Sequence, residues 1–118
     1  MSKKILIVDD DADVRDYLVS LLADEGYETI VATDGVEGLA VAKREAPALI
    51  SLDLAMPNNT GTEFYRKLTH EKALANTPVI VVSGLAGRNL AVRKPVAVFD
   101  KPIDPAAYLA AVKQALGD

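Results

Sequence analysis

Four short apolar runs divide this chain, and each ends at a polar residue that could do chemistry. Runs of this length without polar alternation predict strands buried on both faces, as in a parallel sheet. Parallel strands present their carboxyl ends at one edge, where the ligands of open α/β folds bind. We therefore expect carboxylates, a hydroxyl and an ammonium group to meet at that edge. The runs are residues 5–8, 49–52, 79–82 and 96–99, followed respectively by Asp9 and Asp10, by Asp53, by Ser83, and by Asp100 and Lys101.

Helical patterns separate the apolar runs, which predicts an alternation of strand and helix within one domain over residues 1–118. The expected fold class is α/β, with a doubly wound, five-stranded parallel sheet of the flavodoxin-like kind. A further strand is expected over residues 27–32. The expected helices cover about residues 13–25 after a cap at Asp11, 35–45 after a cap at Asp34, 61–70, and a last helix after a cap at Asp104 with Leu109, Val112 and Leu116 on its buried face.

The connection between Ser83 and Lys101 is short for a complete helix. Its 17 residues must hold a loop, any helix, another loop and the fifth strand. With connections of about 2–6 residues, at most about two helical turns fit, around residues 88–93. We therefore expect a shortened or irregular fourth helix in this connection.

Composition excludes several classes of function. The chain has 118 residues, no cysteine and a net charge of −4, so disulfides, thiolate metal sites and a basic nucleic-acid footprint are all excluded. No apolar stretch approaches the roughly 20 residues of a membrane span. We expect a cytoplasmic protein that contacts neither nucleic acid nor membrane directly.

The acidic residues after the first and third apolar runs suit a hard divalent cation. Mg²⁺ takes oxygen ligands, retains several waters and is typically held by one or two carboxylates together with phosphate oxygens. Asp9, Asp10 and Asp53 are the candidate ligands. The alternative interpretation is that the aspartates at 9–11 cap the first helix and that Asp53 starts a loop. Ser83 could donate a hydrogen bond to an oxyanion, and Lys101 could place a positive charge beside it.

Together these motifs closely resemble the receiver domain of two-component response regulators, especially its single-domain, chemotaxis-regulator-like members. The resemblance covers the whole chain and is carried by KKILIVDDD at 3–11, LDLAMP at 52–57 with Gly61, PVIVVSG at 78–84 and DKP at 100–102. It implies that Asp53 is the phosphoacceptor and that Asp9, Asp10, Asp53 and the backbone carbonyl of Ala55 hold Mg²⁺. It also implies that Ser83 and Lys101 bind the phosphoryl group.

The implied function is a phosphorylation-switched signalling module. It would take a phosphoryl group from a histidine kinase or phosphotransfer protein, change its binding to a downstream protein, and catalyse only its own phosphorylation and dephosphorylation. One alternative is a receiver that no longer switches and acts as a constitutive protein-interaction module. Another is an aspartyl-phosphate hydrolase, but such enzymes typically carry a second aspartate two residues after the nucleophile, where this chain has Ala55. A flavin-binding module shares the fold class and is disfavoured by the acidic loop after the first strand.

Overall fold

The computed structural model describes residues 3–54, 60–82, 97–99 and 103–118. Within them, five strands form one parallel sheet in the order β2-β1-β3-β4-β5, with β1 and β3 side by side. This is the strand order of flavodoxin-like, doubly wound folds. The strands are β1 (Lys4–Val8), β2 (Glu28–Ala32), β3 (Leu49–Leu52), β4 (Val79–Val82) and β5 (Ala97–Phe99).

Four helices lie within the described residues. They are α1 (Ala12–Ala23), α2 (Gly35–Glu45), α3 (Thr60–Thr69) and α4 (Pro105–Leu116). The helix expected around residues 88–93 lies outside the described residues. No helix in the described ranges is long and apolar enough to cross a membrane.

The two faces of the sheet carry separate apolar clusters, which explains the unbroken apolar runs in the sequence. In β1, Leu6 and Val8 join residues of α2 and α3 on one face, while Ile5 and Ile7 join residues of α1 and α4 on the other. All four side chains are fully buried. A strand covered on both faces has no polar positions to alternate with apolar ones.

The expected helix starts are confirmed by the capping aspartates. Asp11 accepts hydrogen bonds from the amides of Asp13 and Val14 at 2.9 and 3.4 Å, and Asp104 accepts one from the amide of Ala106 at 3.1 Å. Asp34 caps α2 in the same way. These bonds satisfy amides that have no partner within the first helical turn. The expected end of α1 was two residues too late, because residues 24–26 form a turn and Gly26 takes a left-handed φ of 87°.

The buried face of α4 includes Tyr108, which is not in the predicted apolar stripe of this helix. Tyr108 and Val112 are fully buried, whereas Leu109 and Leu116 are only partly buried beside them. The Tyr108 ring packs against Phe99 with 5.8 Å between ring centroids and an interplanar angle of 56°. The tyrosine therefore faces the sheet, and the two rings adopt the tilted arrangement that aromatic pairs prefer. Burial raises the pKa of the Tyr108 phenol to about 12.

Candidate functional site

The pairing of β1 with β3 places two aspartates next to each other at the edge of the sheet. Val8 pairs with Leu52, the last residue of each strand. The parallel hydrogen-bonding pattern continues beyond both strands, because the amide of Asp53 donates to the carbonyl of Val8 at 2.9 Å. On the other side, the amide of Asp9 donates to the carbonyl of Ala32 at 3.1 Å. The main chain of both aspartates is therefore fixed by the sheet.

Asp10 joins this pair to complete a cluster of three carboxylates. One carboxylate oxygen from each of Asp9, Asp10 and Asp53 lies within 4.8 Å of the others. Asp9 and Asp53 are 1% and 2% exposed, whereas Asp10 is exposed to solvent. Three oxygen donors with one side open to water fit a hard divalent cation that keeps part of its hydration shell. A cation between them would also relieve the repulsion between like charges.

The turn after β1 is held by hydrogen bonds from the start of helix α1, which follows it. The amide of Asp11 donates to Oδ1 of Asp9 at 2.9 Å, and Nη1 of Arg15 donates to the main-chain carbonyl of Asp9 at 2.8 Å. Asp11 also caps α1. The consecutive aspartates thus divide their roles, since Asp11 starts the helix while Asp9 and Asp10 face the cluster.

The remaining predicted site residues cannot be placed in the same way. Ala55, Ser83 and Lys101 lie outside the described residues, so their predicted roles stay predictions. Arg15 also contacts the acidic turn, from the first turns of α1, and was not among the predicted site residues. Arg15 lies six residues after Asp9, the first residue beyond β1, and it stands in the first turns of the helix that follows. This position is the available signal, because helical side chains point back toward the N-terminus of their helix.

The sheet order and the acidic cluster at the carboxyl ends of its central strands define a flavodoxin-like α/β domain with an acidic edge. The family model of the response regulator receiver domain matches residues 5–113, and the chain belongs to that family. The expectation of a receiver fold is thereby confirmed.

Similar proteins agree with this assignment. The chain is 38% identical over 116 residues to protein Rrf1 of Nitratidesulfovibrio vulgaris, covering 98% of this chain and 84% of the relative. It is 32% identical to the polar-differentiation response regulator DivK of Brucella ovis, covering 100% of this chain and 99% of the relative. The solved structure of chemotaxis protein CheY4 of Vibrio cholerae superposes with a TM-score of 0.88 at 29% identity, covering 98% of this chain and 100% of that one. Other matched relatives are longer, and the chain spans 34% and 19% of two of them.

Family membership establishes the general class of function. Receiver domains are phosphorylation-dependent signalling modules of two-component systems and are not metabolic enzymes.

Proposed function

We propose that residues 1–118 form one receiver domain in which Asp53 accepts a phosphoryl group in a Mg²⁺-dependent reaction. The donor is a phosphohistidine of a histidine kinase or of a phosphotransfer protein, and the phosphorylated domain changes its binding to a downstream protein. The observation that carries this proposal is the approach of the Asp9, Asp10 and Asp53 carboxylates to within 4.8 Å of one another.

Asp53 has the surroundings that a carboxylate nucleophile needs. Its side chain is 2% exposed, and its amide is tied to the carbonyl of Val8. In the transfer, a carboxylate oxygen of Asp53 forms a bond to phosphorus while the bond between phosphorus and the donor imidazole nitrogen breaks. Phosphoryl transfer is catalysed mostly by positioning and by stabilising charge on the phosphoryl oxygens. A nucleophile fixed at a strand end supplies the positioning.

Asp9 and Asp10 would hold the metal together with Asp53. When bound, Mg²⁺ supplies positive charge that offsets the carboxylates and the phosphoryl oxygens. Asp9 is held in place, since its amide and its Oδ1 are both hydrogen-bonded within the fold. Asp10 is the solvent-facing member and leaves space for water and the phosphoryl donor.

The residues outside the described ranges complete the proposed machinery on the basis of the family resemblance. The Ala55 carbonyl would be a further metal ligand, the Ser83 hydroxyl would donate to a phosphoryl oxygen, and the Lys101 ammonium would pair with the phosphoryl group. The hydroxyl and the ammonium would supply the hydrogen bond and the positive charge that stabilise a transferring phosphoryl group.

The alternative of a constitutive interaction module has less support. A receiver that has lost switching has no need for buried carboxylates that repel one another, and this chain retains that arrangement. The two functions differ in one measurable property, because only the switching receiver forms an aspartyl phosphate.

Intact-mass spectrometry after incubation with acetyl phosphate tests the proposal. We expect a single phosphoryl adduct with Mg²⁺ and none with EDTA. Asp10→Asn should strongly reduce the adduct, whereas Asp13→Asn, which removes an exposed charge from the first turn of α1, should behave like the wild-type protein. An adduct that forms equally well in EDTA would contradict the metal site, and the absence of any adduct would favour the constitutive module.

A further inference from the structure

Arg15 connects helix α1 to the acidic turn at two points. Its Nη1 donates a hydrogen bond to the main-chain carbonyl of Asp9 at 2.8 Å, and its own amide donates to the carbonyl of Asp11 at 3.0 Å. The side chain is half-buried. Arg15 therefore contacts the main chain on both sides of Asp10, the one residue of the cluster that faces solvent.

The bond from Arg15 adds to the hydrogen bonds that hold Asp9 in place. The Asp9 amide is bonded to Ala32, its Oδ1 accepts from the Asp11 amide, and its carbonyl accepts from Arg15. The first two contacts fix the strand end and the carboxylate. The Arg15 bond restrains the peptide that joins Asp9 to Asp10, from which the Asp10 side chain extends.

Fixing this peptide matters because the turn carries strongly repelling groups. Residues 9–11 are three consecutive aspartates, and two of them converge with Asp53. Without a cation, a turn free to relax would move the Asp10 carboxylate away from the buried pair. A charge-assisted hydrogen bond from a planar guanidinium opposes that movement.

We propose that Arg15 is a positioning residue that holds the Asp9–Asp10 turn in its metal-binding conformation and thereby raises the affinity for a divalent cation. This inference rests on the proposed function, in which the cluster is the Mg²⁺ site. Groups that orient metal ligands typically change affinity by about 10–100-fold when removed.

A simple charge effect would have the opposite sign, which makes the proposal testable. If Arg15 acted only as a nearby positive charge, its removal would strengthen cation binding by reducing repulsion. If it acts by positioning, its removal weakens binding even though the site becomes more negative. The direction in which the cation affinity changes therefore distinguishes a positioning role of Arg15 from a simple charge effect.

The test measures the affinity of the folded protein for Mn²⁺ by the electron paramagnetic resonance signal of free Mn²⁺, with Mg²⁺ as competitor. We expect Arg15→Met to weaken binding by about tenfold, the lower end of the range for ligand-orienting residues. Arg15→Lys keeps the charge but replaces the planar guanidinium with a shorter, more flexible side chain that ends in one nitrogen, so this variant should bind with an intermediate affinity. Arg44→Met removes the same charge from an exposed position in the last turn of α2 and should match the wild-type protein.

Hydrogen exchange supplies a second readout that does not depend on metal. The amide of Asp11, which donates to Asp9, should exchange faster in Arg15→Met while the amides within β1 keep their protection. Equal or tighter cation binding by Arg15→Met overturns the proposal. If that variant does not fold, Arg15→Lys decides, because binding as tight as the wild-type protein's would equally overturn it. Failure of the wild-type protein to bind Mn²⁺, or equal binding by Asp10→Asn, would instead refute the proposed function.

Discussion

Gly38 shows how closely helix α2 packs against the strand that carries the acidic turn. A Cβ atom at this position would lie 3.1 Å from Cγ2 of Val8 and 3.3 Å from Cε1 of Phe64. Both neighbours are buried in the core and cannot move aside without disturbing other contacts. Because Val8 directly precedes Asp9, the absence of a side chain at Gly38 also protects the geometry of the strand end.

We predict that Gly38→Ala lowers the free energy of unfolding by about 1 kcal/mol. Overpacking typically costs about 2 kcal/mol, and the better helix propensity of alanine returns about 1 kcal/mol of this. Urea unfolding measures the difference. The matched control is Ala40→Gly, at an exposed position of the same helix, where glycine should destabilise by about 1 kcal/mol through propensity alone. If Gly38→Ala were more stable than the wild-type protein, Val8 and Phe64 would have to move aside without loss of packing, which would contradict this prediction.

The acidic cluster could be predicted from the sequence, whereas the contact of Arg15 with it and the burial of Tyr108 could not. Asp9, Asp10 and Asp53 follow apolar runs, and parallel strands bring such positions together whatever the details of packing. The contact of Arg15 depends on the direction of its side chain, and the burial of Tyr108 depends on which residue of a helical stripe faces the sheet. A periodicity of 3.6 residues predicts an apolar stripe along a helix but does not show which residue of the stripe is buried most deeply. The periodicity of α4 therefore could not show that Tyr108 is more buried than Leu109.

At the scale of elements, helix starts were easier to predict than helix ends. A start is marked by one side chain with a defined chemical task, as with Asp34 at α2. The end of α2 at Glu45 agrees with the prediction, because Pro47 disfavours the right-handed helical conformation at Ala46, which takes a left-handed φ of 47°. The end expected for α1 is two residues too late, because no proline follows this helix and the left-handed residue, Gly26, comes only after a further turn.

We predict that Asp34→Ala lowers the free energy of unfolding by about 1 kcal/mol, the typical contribution of an N-cap. The Asp34 carboxylate accepts a hydrogen bond from the amide of Glu37 at 2.8 Å, and that bond is lost in the variant. Asp16→Ala removes an exposed aspartate from the middle of α1 and should change stability by less than about 0.5 kcal/mol. Equal effects of the two variants in urea unfolding would contradict a specific capping role.

At the scale of the whole molecule, two tyrosines link stability to alkaline pH. Burial, followed by a hydrogen bond to Asp118, raises the pKa of Tyr27 to about 12, and burial raises the pKa of Tyr108 to about 12. The ordinary value is 10.0. At a pH between 10 and about 12, the folded protein keeps phenolic protons that the unfolded protein has released. The stabilisation is therefore fully present below pH 10 and is lost as pH rises toward 12.

We predict that the free energy of unfolding declines from pH 10 upward and that Tyr108→Phe or Tyr27→Phe makes the decline shallower. Tyr17→Phe removes a phenol that is 45% exposed on α1 and is the matched control. Urea unfolding at a series of alkaline pH values provides the measurement. The interpretation fails if all three variants follow the wild-type pH dependence.

The architecture of the whole molecule follows from features spread along the chain. Alternating strand and helix patterns predict a parallel sheet with helices on both faces. The structure has this arrangement, and the family assignment agrees with it. The predicted roles of Ala55, Ser83 and Lys101 and the shortened helix around residues 88–93 stay predictions, because they lie outside the described residues. The short connection gives no repeating apolar pattern from which one backbone path could be inferred.

The central claim is that Asp53 is the residue that carries the phosphoryl group. Borohydride reduces an aspartyl phosphate to homoserine, so treatment after incubation with acetyl phosphate and Mg²⁺, followed by peptide mass spectrometry, locates the acceptor. We predict homoserine at position 53 alone, and none in Asp53→Asn or in samples kept in EDTA. Homoserine at position 9 or 10 with position 53 unmodified, or an unchanged phosphoryl adduct in Asp53→Asn, would contradict the account.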